Sequence, residues 1–448
     1  MAVASSLDMT TGPFYKKIIT FTIPVMLTSL LQILYNAADI MVVGKFAGSQ
    51  ALAAVSSNGS LVNLILNLFI GFSLGSGVVV ARFIGAEDRH ATLRSVHTAM
   101  TFAVILGIVA LVIGEVFSKT LLSLMDTPED IIGLAALYLR IFFLGTPASL
   151  VFNFGSGILR ANGDTQRPMI ISAIAGILNI ILNLVFVIIF HLSVAGVAIA
   201  TIISQYLSAI WVVIILTHRH DASRLIFKKL KIHAAEFKEI VKVGLPTGLQ
   251  STCFALSNVI VQSSINSFGS IAVAGNGAAS NIDNLVYVCI DAFPQAAMTF
   301  IAQNVGAKKY DNISSVYRRC IVLITGVGFT LGLVASIFAE SLAGFFTNDP
   351  EVVVFGAEKI RYISTLYFIA GFMNCTASAL RSMGKPFTSM FITLAGSCGF
   401  RILWVFTVFQ IFRTLPVLYS VYASSWAITF ITLYIFYKIN LKKLKMSA

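Results

Sequence analysis

The sequence predicts an all-α membrane protein with twelve transmembrane helices, arranged as two six-helix lobes related by a pseudo-twofold axis along the membrane normal. Two observations predict this fold class: an apolar composition with long apolar runs, and an internal duplication. Apolar residues make up 57% of the 448 residues, and charged residues only 11%. A soluble domain carries about 25% charged residues, so this chain lacks the polar surface that water requires on every side.

Each predicted helix corresponds to an apolar run of about 20 residues or more, the length that crosses a bilayer core. The first run is too long for a signal peptide and contains Asn36 and Asp39, so we interpret it as a helix of the mature protein. In chain order the runs cover residues 17–46, 52–80, 97–121, 131–158, 168–190, 195–216, 242–267, 273–302, 320–345, 360–380, 387–411 and 416–437.

The two halves of the chain resemble each other at one fixed spacing. ARFIGAED at 81–88 matches AQNVGAKK at 302–309, and ILRANGDTQRPM at 158–169 matches ALRSMGKPFTSM at 379–390 with the same shift. A shift that recurs at distant places indicates duplication. Because six helices return the chain to the same side of the membrane, the halves share one orientation. A central cleft between such repeats is typical of secondary transporters.

The longest polar segment of the chain follows the sixth run. We therefore expect an amino-terminal lobe at 1–217, a cytoplasmic linker at 218–241, a carboxyl-terminal lobe at 242–438 and a basic tail at 439–448. Most of the 31 lysine and arginine residues lie at the amino terminus, in the loops after even-numbered helices and in the tail. The positive-inside rule then predicts that both termini are cytoplasmic, with the tail near anionic lipid headgroups.

Other functional classes have little support in the sequence. The net charge of +12 comes without an aromatic-interleaved basic platform, which argues against nucleic-acid binding. The sequence contains no GxxxxGK[ST] loop of an ATPase, and its histidines have no ligand set at a recognised metal spacing. We therefore expect no enzyme activity, no metal and no cofactor. Membrane lipids are the expected surroundings of a monomer.

Asp39 lies inside the first apolar run, where a carboxylate costs about 2.5 to 3.5 kcal/mol on insertion scales. Asn36 lies one turn before it, and Asn179 and Asn183 share one face of the fifth helix. With a rise of about 1.5 Å per residue, Asp39, Asn183 and Thr201 each lie about 9 to 12 Å below the outer ends of their helices. One carboxylate, two amides and a hydroxyl are thus predicted at similar depth in the amino-terminal lobe.

These residues lead to a resemblance: the chain resembles the multidrug and toxin extrusion (MATE) family, in particular its bacterial DinF-like branch. The resemblance rests on ILYNAADIMVVGKFAG at 33–48, ILRANGDTQRP at 158–168 and GLPTGLQSTCFALSNVIVQSSINSFG at 244–269, and it extends over essentially the whole chain. It implies a bacterial plasma-membrane antiporter that exports small cationic, amphipathic drugs or toxins in exchange for protons or sodium ions. It also implies an ion site in the amino-terminal lobe, with an acid on helix 1 and polar partners on helices 5 and 6.

This chain departs from the family pattern at Asn183, where many relatives carry a second acid on helix 5. Asp39 is then the one carboxylate of the predicted cluster, and burial favours the protonated form of a carboxyl group. The sequence therefore favours proton coupling, although the same oxygens could hold Na⁺ instead. A purely structural Asp39 is the remaining alternative, but intramembrane acids are functional by default.

Helix 8 carries two acids, Asp283 and Asp291, on one stripe of its surface. Asp291 and Arg401 lie at similar depths, about 18 and 21 Å from the inner ends of their helices. We therefore expect a structural ion pair between Asp291 and Arg401. Asp283 is then expected to attract cations in the cleft, with a purely structural role as its alternative.

The abundance of phenylalanine and methionine, with 35 and 12 residues, suits an adaptable apolar cleft for flat organic cations. Candidate substrate contacts are Met26, Tyr35, Tyr287 and Met298, on helices expected at the cleft. A lipid-linked precursor flippase of the same superfamily is an alternative function, but it usually needs a strongly cationic cleft, and intramembrane arginines are few here. Duplicated, asymmetric lobes argue against a channel or a receptor.

Overall fold

The first half of the chain consists of six long helices. The computed structural model describes residues 7–125 and 127–446, and within these residues it contains helices and no strands, as predicted for the all-α class. Helix α5 continues directly into a π-helical turn at Val185–Ile189. The helices are α1 (Phe14–Phe46), α2 (Ser49–Gly85), α3 (Arg89–Leu124), α4 (Glu129–Ala161), α5 (Gln166–Leu184) and α6 (Ser193–Thr217).

The second half repeats this order with more interruptions. A 3₁₀ turn at Ser364–Leu366 joins two helices into one span, and a π-helical turn at Leu394–Gly399 joins two others. The helices are α7 (Ala234–Asn266), α8 (Ser270–Gly306), α9 (Tyr310–Ile337), α10 (Ala339–Gly344), α11 (Pro350–Ile363), α12 (Tyr367–Ser382), α13 (Pro386–Thr393), α14 (Phe400–Phe406), α15 (Val408–Ile411) and α16 (Leu415–Met446).

In the described part of the chain, eleven helical segments are long and apolar enough to cross a membrane. Together with α7 they account for the twelve predicted spans. Helix α7 is 33 residues long, but it begins with charged residues and carries serine, threonine, glutamine and asparagine along its length, so its composition is less apolar. It is therefore the most polar of the predicted spans.

Residue contacts divide the chain into two compact units. The amino-terminal unit comprises Leu27–Gly248, and the carboxyl-terminal unit comprises Asp8–Met26 and the residues from Leu249 onward. Helix α1 thus passes from one unit to the other just after Pro24, and α7 does so just after Pro246. The lobes expected from the sequence have other boundaries. The expected lobe 1–217 includes the first half of α1, and the expected lobe 242–438 begins at 242, although residues up to Gly248 belong to the amino-terminal unit.

Each unit has its own packed centre. In the amino-terminal unit α4 packs against α2, α3 and α6. The contact between α3 and α4 requires glycine at position 114, because a Cβ there would lie 2.0 Å from the ring of Phe143. In the carboxyl-terminal unit α8 packs against α9, α11 and α12, while α12 also contacts α16. The candidate site residues therefore lie on tightly packed scaffolds.

Part of the expected linker, from residue 234 onward, forms the first two turns of α7. The non-helical part is held to the amino-terminal unit, where Ser223 donates a hydrogen bond to the side-chain oxygen of Asn162 at 3.0 Å. Asp221 forms an ion pair with Arg219. Burial raises the pKa of the Asp221 carboxyl, but the hydrogen bonds and charge of Arg219 outweigh burial, so the pKa is lowered. The turn is therefore closed by an ion pair at neutral pH.

Candidate functional site

The polar side chains predicted to lie near Asp39 meet in the amino-terminal unit. Asn183 donates one hydrogen bond from Nδ2 to Asp39 Oδ1 and another to Asn179 Oδ1 at 3.3 Å. Asn179 donates to the Thr201 hydroxyl at 3.4 Å, and Thr201 donates to the carbonyl of Val197 at 2.9 Å. One hydrogen-bonded chain, which we call the Asp39 cluster, therefore links α1, α5 and α6.

The Asp39 cluster is well shielded. Asn183 is 0% exposed and Asn179 5% exposed, while Asp39 itself is half-buried. The Asn183 side-chain oxygen is buried and has no hydrogen-bond partner among the described residues. A buried amide oxygen without a partner is costly, so this atom is suited to accept a hydrogen bond from a protonated carboxyl group or to contact a bound cation.

Apolar side chains from several helices line the Asp39 cluster. Val42, Val187 and Val197 belong to one buried apolar group, and Tyr138 of α4 packs against that group. Tyr138 could not be singled out from the sequence, because an aromatic residue in an apolar run carries no signal that distinguishes it from a core residue.

The other predicted residues of α1 are arranged differently. Tyr35 donates a hydrogen bond to the carbonyl of Ala173 at 3.2 Å, and its ring lies where a Cβ at Gly176 would be, 1.8 Å from Tyr35 Cζ. Tyr35 therefore fixes α1 against α5. Asn36 is exposed, and the hydrogen bonds of the Asp39 cluster do not include it. Met26 is half-buried and belongs to the carboxyl-terminal unit.

In the carboxyl-terminal unit, Asp283 forms an ion pair that the sequence analysis did not predict. Its Oδ2 lies 3.2 Å from Lys359 Nζ, and both side chains are 7% exposed. Lys359 also donates to the Ser280 hydroxyl at 2.8 Å, and the Ser364 hydroxyl lies 3.5 Å from Asp283 Oδ1. The carboxylate that was expected to attract cations therefore already has a counter-ion from its own chain.

Lys359 was missed because the start of its helix was misplaced. The sequence analysis began this span at residue 360, which left Lys359 in a loop. In the structure α11 begins at Pro350, where the Asp349 side chain accepts a hydrogen bond from the Glu351 amide and caps the helix. Lys359 thus lies more than two turns inside the helix. The pair Asp349-Pro350 is typical of a helix N-terminus, and this signal in the sequence could have placed the start of α11 correctly.

The expected ion pair between Asp291 and Arg401 is not formed. Asp291 accepts a hydrogen bond from Gln295 at 3.2 Å. The similar depths of Asp291 and Arg401 did not fix the face on which each side chain lies. The π-helical turn at Leu394–Gly399 ends two residues before Arg401 and changes the direction of its side chain relative to a regular helix.

Arg401 instead contacts amide, hydroxyl and aromatic groups. Its Nη1 donates to Asn258 Oδ1 at 2.7 Å, and its Nε donates to the Ser425 hydroxyl at 3.2 Å. The guanidinium carbon lies 5.6 Å from the ring centroid of Phe254 and 4.7 Å from that of Tyr422. These distances are those of cation–π contacts.

The remaining substrate candidates differ in accessibility. The Tyr287 hydroxyl accepts a hydrogen bond from Asn374 at 3.0 Å, and the residue is 37% exposed. Met298 is 6% exposed, and its carbonyl accepts a hydrogen bond from Ser382 at 2.7 Å. Of these two residues, Tyr287 is the one with surface available for a ligand. No group of three or more metal-binding side chains occurs in residues 7–125 and 127–446.

Comparison with known proteins matches both halves of the chain to the same family. The family model described as MatE matches residues 24–185 and again residues 246–407. The chain is 26% identical over 432 residues to the "Probable multidrug resistance protein YoeA" of Bacillus subtilis, covering 94% of this chain and 93% of that protein. It is also 26% identical to the "FAD transporter" of Shewanella oneidensis, covering 86% and 85%.

A solved structure shares the fold of the whole chain. The chain superposes with a TM-score of 0.92 on the structure titled "Outward-facing conformation of a multidrug resistance MATE family transporter of the MOP superfamily". The superposition covers 100% of both chains at 22% sequence identity. This similarity supports the predicted helical membrane fold.

Proposed function

Since the chain belongs to the MatE family and is a multidrug efflux transporter, we propose that it is a secondary antiporter that exports amphipathic organic compounds in exchange for protons bound at Asp39. The observation that carries this proposal is the Asp39 cluster. It joins one intramembrane carboxylate to two buried amides and a hydroxyl on three helices. Intramembrane carboxylates that face polar partners are typical of proton relays in transporters.

The hydrogen bonds of the Asp39 cluster favour a proton over a metal cation. Asn179 Oδ1 already accepts from Asn183, and the Thr201 hydroxyl already accepts from Asn179. A sodium ion needs several oxygen ligands, and these two oxygens each have only one lone pair left to offer. A proton needs only the Asp39 carboxylate and one acceptor.

Protonation of Asp39 would change the contact between α1 and α5. The ionised carboxylate accepts a hydrogen bond from Asn183 Nδ2. The protonated carboxyl can donate one, and the unpartnered Asn183 Oδ1 can accept it after a rotation of the amide. A ligand shifts a conformational equilibrium only through different affinities for the two states. Because protonation turns Asp39 from an acceptor into a donor at this contact, the two arrangements of Asp39 and Asn183 have different affinities for the proton.

Sodium coupling is the second candidate. The observation that favours it is the same unpartnered Asn183 oxygen beside the Asp39 carboxylate. Oxygen ligands and a negative charge suit a hard cation. Dependence of export on Na⁺ would therefore assign the Asp39, Asn179, Asn183 and Thr201 oxygens as its ligands.

The transported compounds and the topology are also part of the proposal. Relatives named as multidrug resistance proteins support small organic compounds as substrates, and we expect cationic drugs among them. Asp283 offers little attraction to such cations, because Lys359 neutralises it. The protein is expected in a bacterial plasma membrane as a monomer with both termini in the cytoplasm.

The first prediction tests the role of Asp39. In sodium-free proteoliposomes with an imposed pH gradient, the wild-type protein should drive ethidium transport, and Asp39→Asn should lower the rate at least tenfold. The substitution keeps the side-chain size but removes the group that binds the proton. Fluorescence quenching of the dye measures the rate, and the thermal melting of the purified variant shows whether it is folded.

Asp130→Asn is the matched control, because it removes an exposed carboxylate at the start of α4 in the same unit. This variant should transport at the wild-type rate. Wild-type transport by a folded Asp39→Asn protein would overturn the role of Asp39. Transport that requires Na⁺ and ignores the pH gradient would replace proton coupling by sodium coupling.

A further inference from the structure

We propose that Arg401 in the carboxyl-terminal unit binds the acidic group, a carboxylate or a phosphate, of a flat aromatic compound. The site consists of Arg401, Asn258, Phe254 and Tyr422. This inference deepens the proposed export function by adding a substrate class, and it rests on that function only for the transport of the bound compound. Compounds that carry a cationic group besides the acidic one are included.

The first argument is the balance of buried charge within the unit. Asp283 is paired with Lys359 at 3.2 Å, and Asp291 accepts a hydrogen bond from Gln295 at 3.2 Å. Arg401 is 3% exposed and has no carboxylate within 4 Å among the residues described. A buried charge without a counter-ion is strongly unfavourable. Arg401 therefore carries a buried positive charge that no carboxylate of the described residues neutralises at close range.

The second argument is the hydrogen bonding of the guanidinium. Nη1 and Nε donate to the neutral acceptors Asn258 and Ser425, while Nη2 makes no hydrogen bond within the described residues. A guanidinium carries five N–H donors, in a planar arrangement that matches two oxygens of a carboxylate or phosphate. Asn258 is exposed and Phe254 is half-buried, so the guanidinium lies directly beneath an accessible surface.

The third argument is the aromatic surroundings. The rings of Phe254 and Tyr422 lie 5.6 and 4.7 Å from the Arg401 guanidinium carbon. Tyr422 continues into further rings, because its centroid is 6.0 Å from that of Trp426, which lies 5.3 Å from Tyr367. Aromatic pairs at these separations are favourable. Trp426 is buried, so the half-buried rings of Phe254 and Tyr422 are the surfaces against which a flat aromatic body would lie while its acidic group reaches Arg401.

A structural Arg401, stabilised only by the rings and two neutral acceptors, is the competing explanation. It predicts that substitution of Arg401 lowers stability without selecting between neutral and acidic ligands. Ligand pairs that differ only in the acidic group separate the two explanations. Riboflavin and riboflavin phosphate form such a pair, since they share the same flat ring system.

The second prediction is measured by binding of these two probes to the purified full-length protein in detergent, followed by flavin fluorescence. The wild-type protein should bind riboflavin phosphate at least tenfold more tightly than riboflavin. Arg401→Gln should remove this preference, while Arg401→Lys should keep part of it, because the charge remains but the two-oxygen contact is lost. Carboxyfluorescein serves as the carboxylate probe and shows whether the site prefers phosphate.

Asn258→Asp provides a sharper variant. The new carboxylate would keep the size of the side chain and neutralise Arg401 from within the unit. We expect thermal stability at or above that of the wild type, together with at least a tenfold loss of affinity for riboflavin phosphate. Arg413→Gln is the control, because Arg413 is exposed and forms a hydrogen bond with Gln410. This variant should bind both probes as the wild type does.

Equal binding of riboflavin and its phosphate by the wild type would overturn the inference, as would unchanged phosphate binding by a folded Asn258→Asp protein. The binding assay does not depend on ion coupling. If the wild-type protein shows no gradient-driven ethidium transport, the proposed antiport is contradicted, whereas the proposal of an Arg401 binding site is not.

Discussion

The ionisable residues at the candidate sites of the two units differ in sign and in pairing. The amino-terminal unit places a single carboxylate, Asp39, against neutral amides. The carboxyl-terminal unit places Asp283 against Lys359 and leaves Arg401 among neutral groups. The first arrangement suits a group that exchanges a proton, and the second suits a fixed ion pair next to an anion-binding arginine.

The third prediction concerns the ion pair of Asp283 and Lys359. Asp283→Asn and Lys359→Gln should each lower the free energy of unfolding by about 3 to 5 kcal/mol, because each leaves a buried charge without its partner. The double variant should recover much of this loss, which gives a coupling energy in a double-mutant cycle. Thermal melting of the four purified proteins measures the effect.

The same cycle for Asp291 and Arg401 is the matched control. These residues form no ion pair in the described structure, so their losses should be additive within about 0.5 kcal/mol. Strong coupling between Asp291 and Arg401, with additive losses at Asp283 and Lys359, would show that the partners were assigned the wrong way round.

Interruptions of regular helix lie beside the important residues of both units. The π-helical turn at Val185–Ile189 begins two residues after Asn183, and the π-helical turn at Leu394–Gly399 ends two residues before Arg401. π-Helical turns occur frequently at functional sites. In both places the interruption lies within two residues of a polar side chain of a candidate site.

The fourth prediction tests the packing of helices α2 and α7 in the amino-terminal unit. A Cβ at Gly71 would lie 2.3 Å from the backbone nitrogen of Gly248, and backbone cannot move aside. Gly71→Ala should therefore lower the stability of the protein by about 1 to 3 kcal/mol, the usual cost of overpacking. The melting temperature of the purified protein measures the loss.

Gly133→Ala is the control for this experiment, because a Cβ at Gly133 of α4 meets no atom within 4 Å. Alanine is the better helix former, so this variant should be at least as stable as the wild type. Equal melting temperatures for Gly71→Ala and Gly133→Ala would show that the two helices do not approach so closely.

On the scale of the whole molecule, one scaffold occurs twice with different chemistry. The MatE model matches 24–185 and 246–407, but neither Asp39 nor Arg401 has a counterpart of the same type at the corresponding place in the other half. Duplication therefore supplied the helices, and the polar residues diverged separately in each half.

The fifth prediction concerns the orientation in the membrane. Green fluorescent protein fused to either end of the chain should fluoresce in bacterial cells, because the lysine and arginine distribution places both ends in the cytoplasm. The same protein inserted after His191, between α5 and α6, should remain dark, because it would be exported unfolded. Fluorescence only from the insertion at His191 would reverse the orientation.

The sequence by itself determined the fold class, the duplication and the residues of the Asp39 cluster. Apolar runs, their repeat and the depth of a residue along a helix can all be read from the order of residues. Because the chain has few charged residues, few side chains at any one depth are candidates for an ion site. Asp39, Asn179, Asn183 and Thr201 could therefore be grouped before their contacts were known.

Only the tertiary structure decided the partners in the carboxyl-terminal unit. The pairing of Asp283 with Lys359 depended on the start of α11 at Pro350. The contacts of Arg401 depended on a π-helical turn and on the rotation of each helix about its axis. The rotation of a helix about its axis and the irregularities within it arise from packing against other helices. They cannot be deduced from the order of residues along one helix. The partners of Lys359 and Arg401 therefore could not be assigned from the sequence alone.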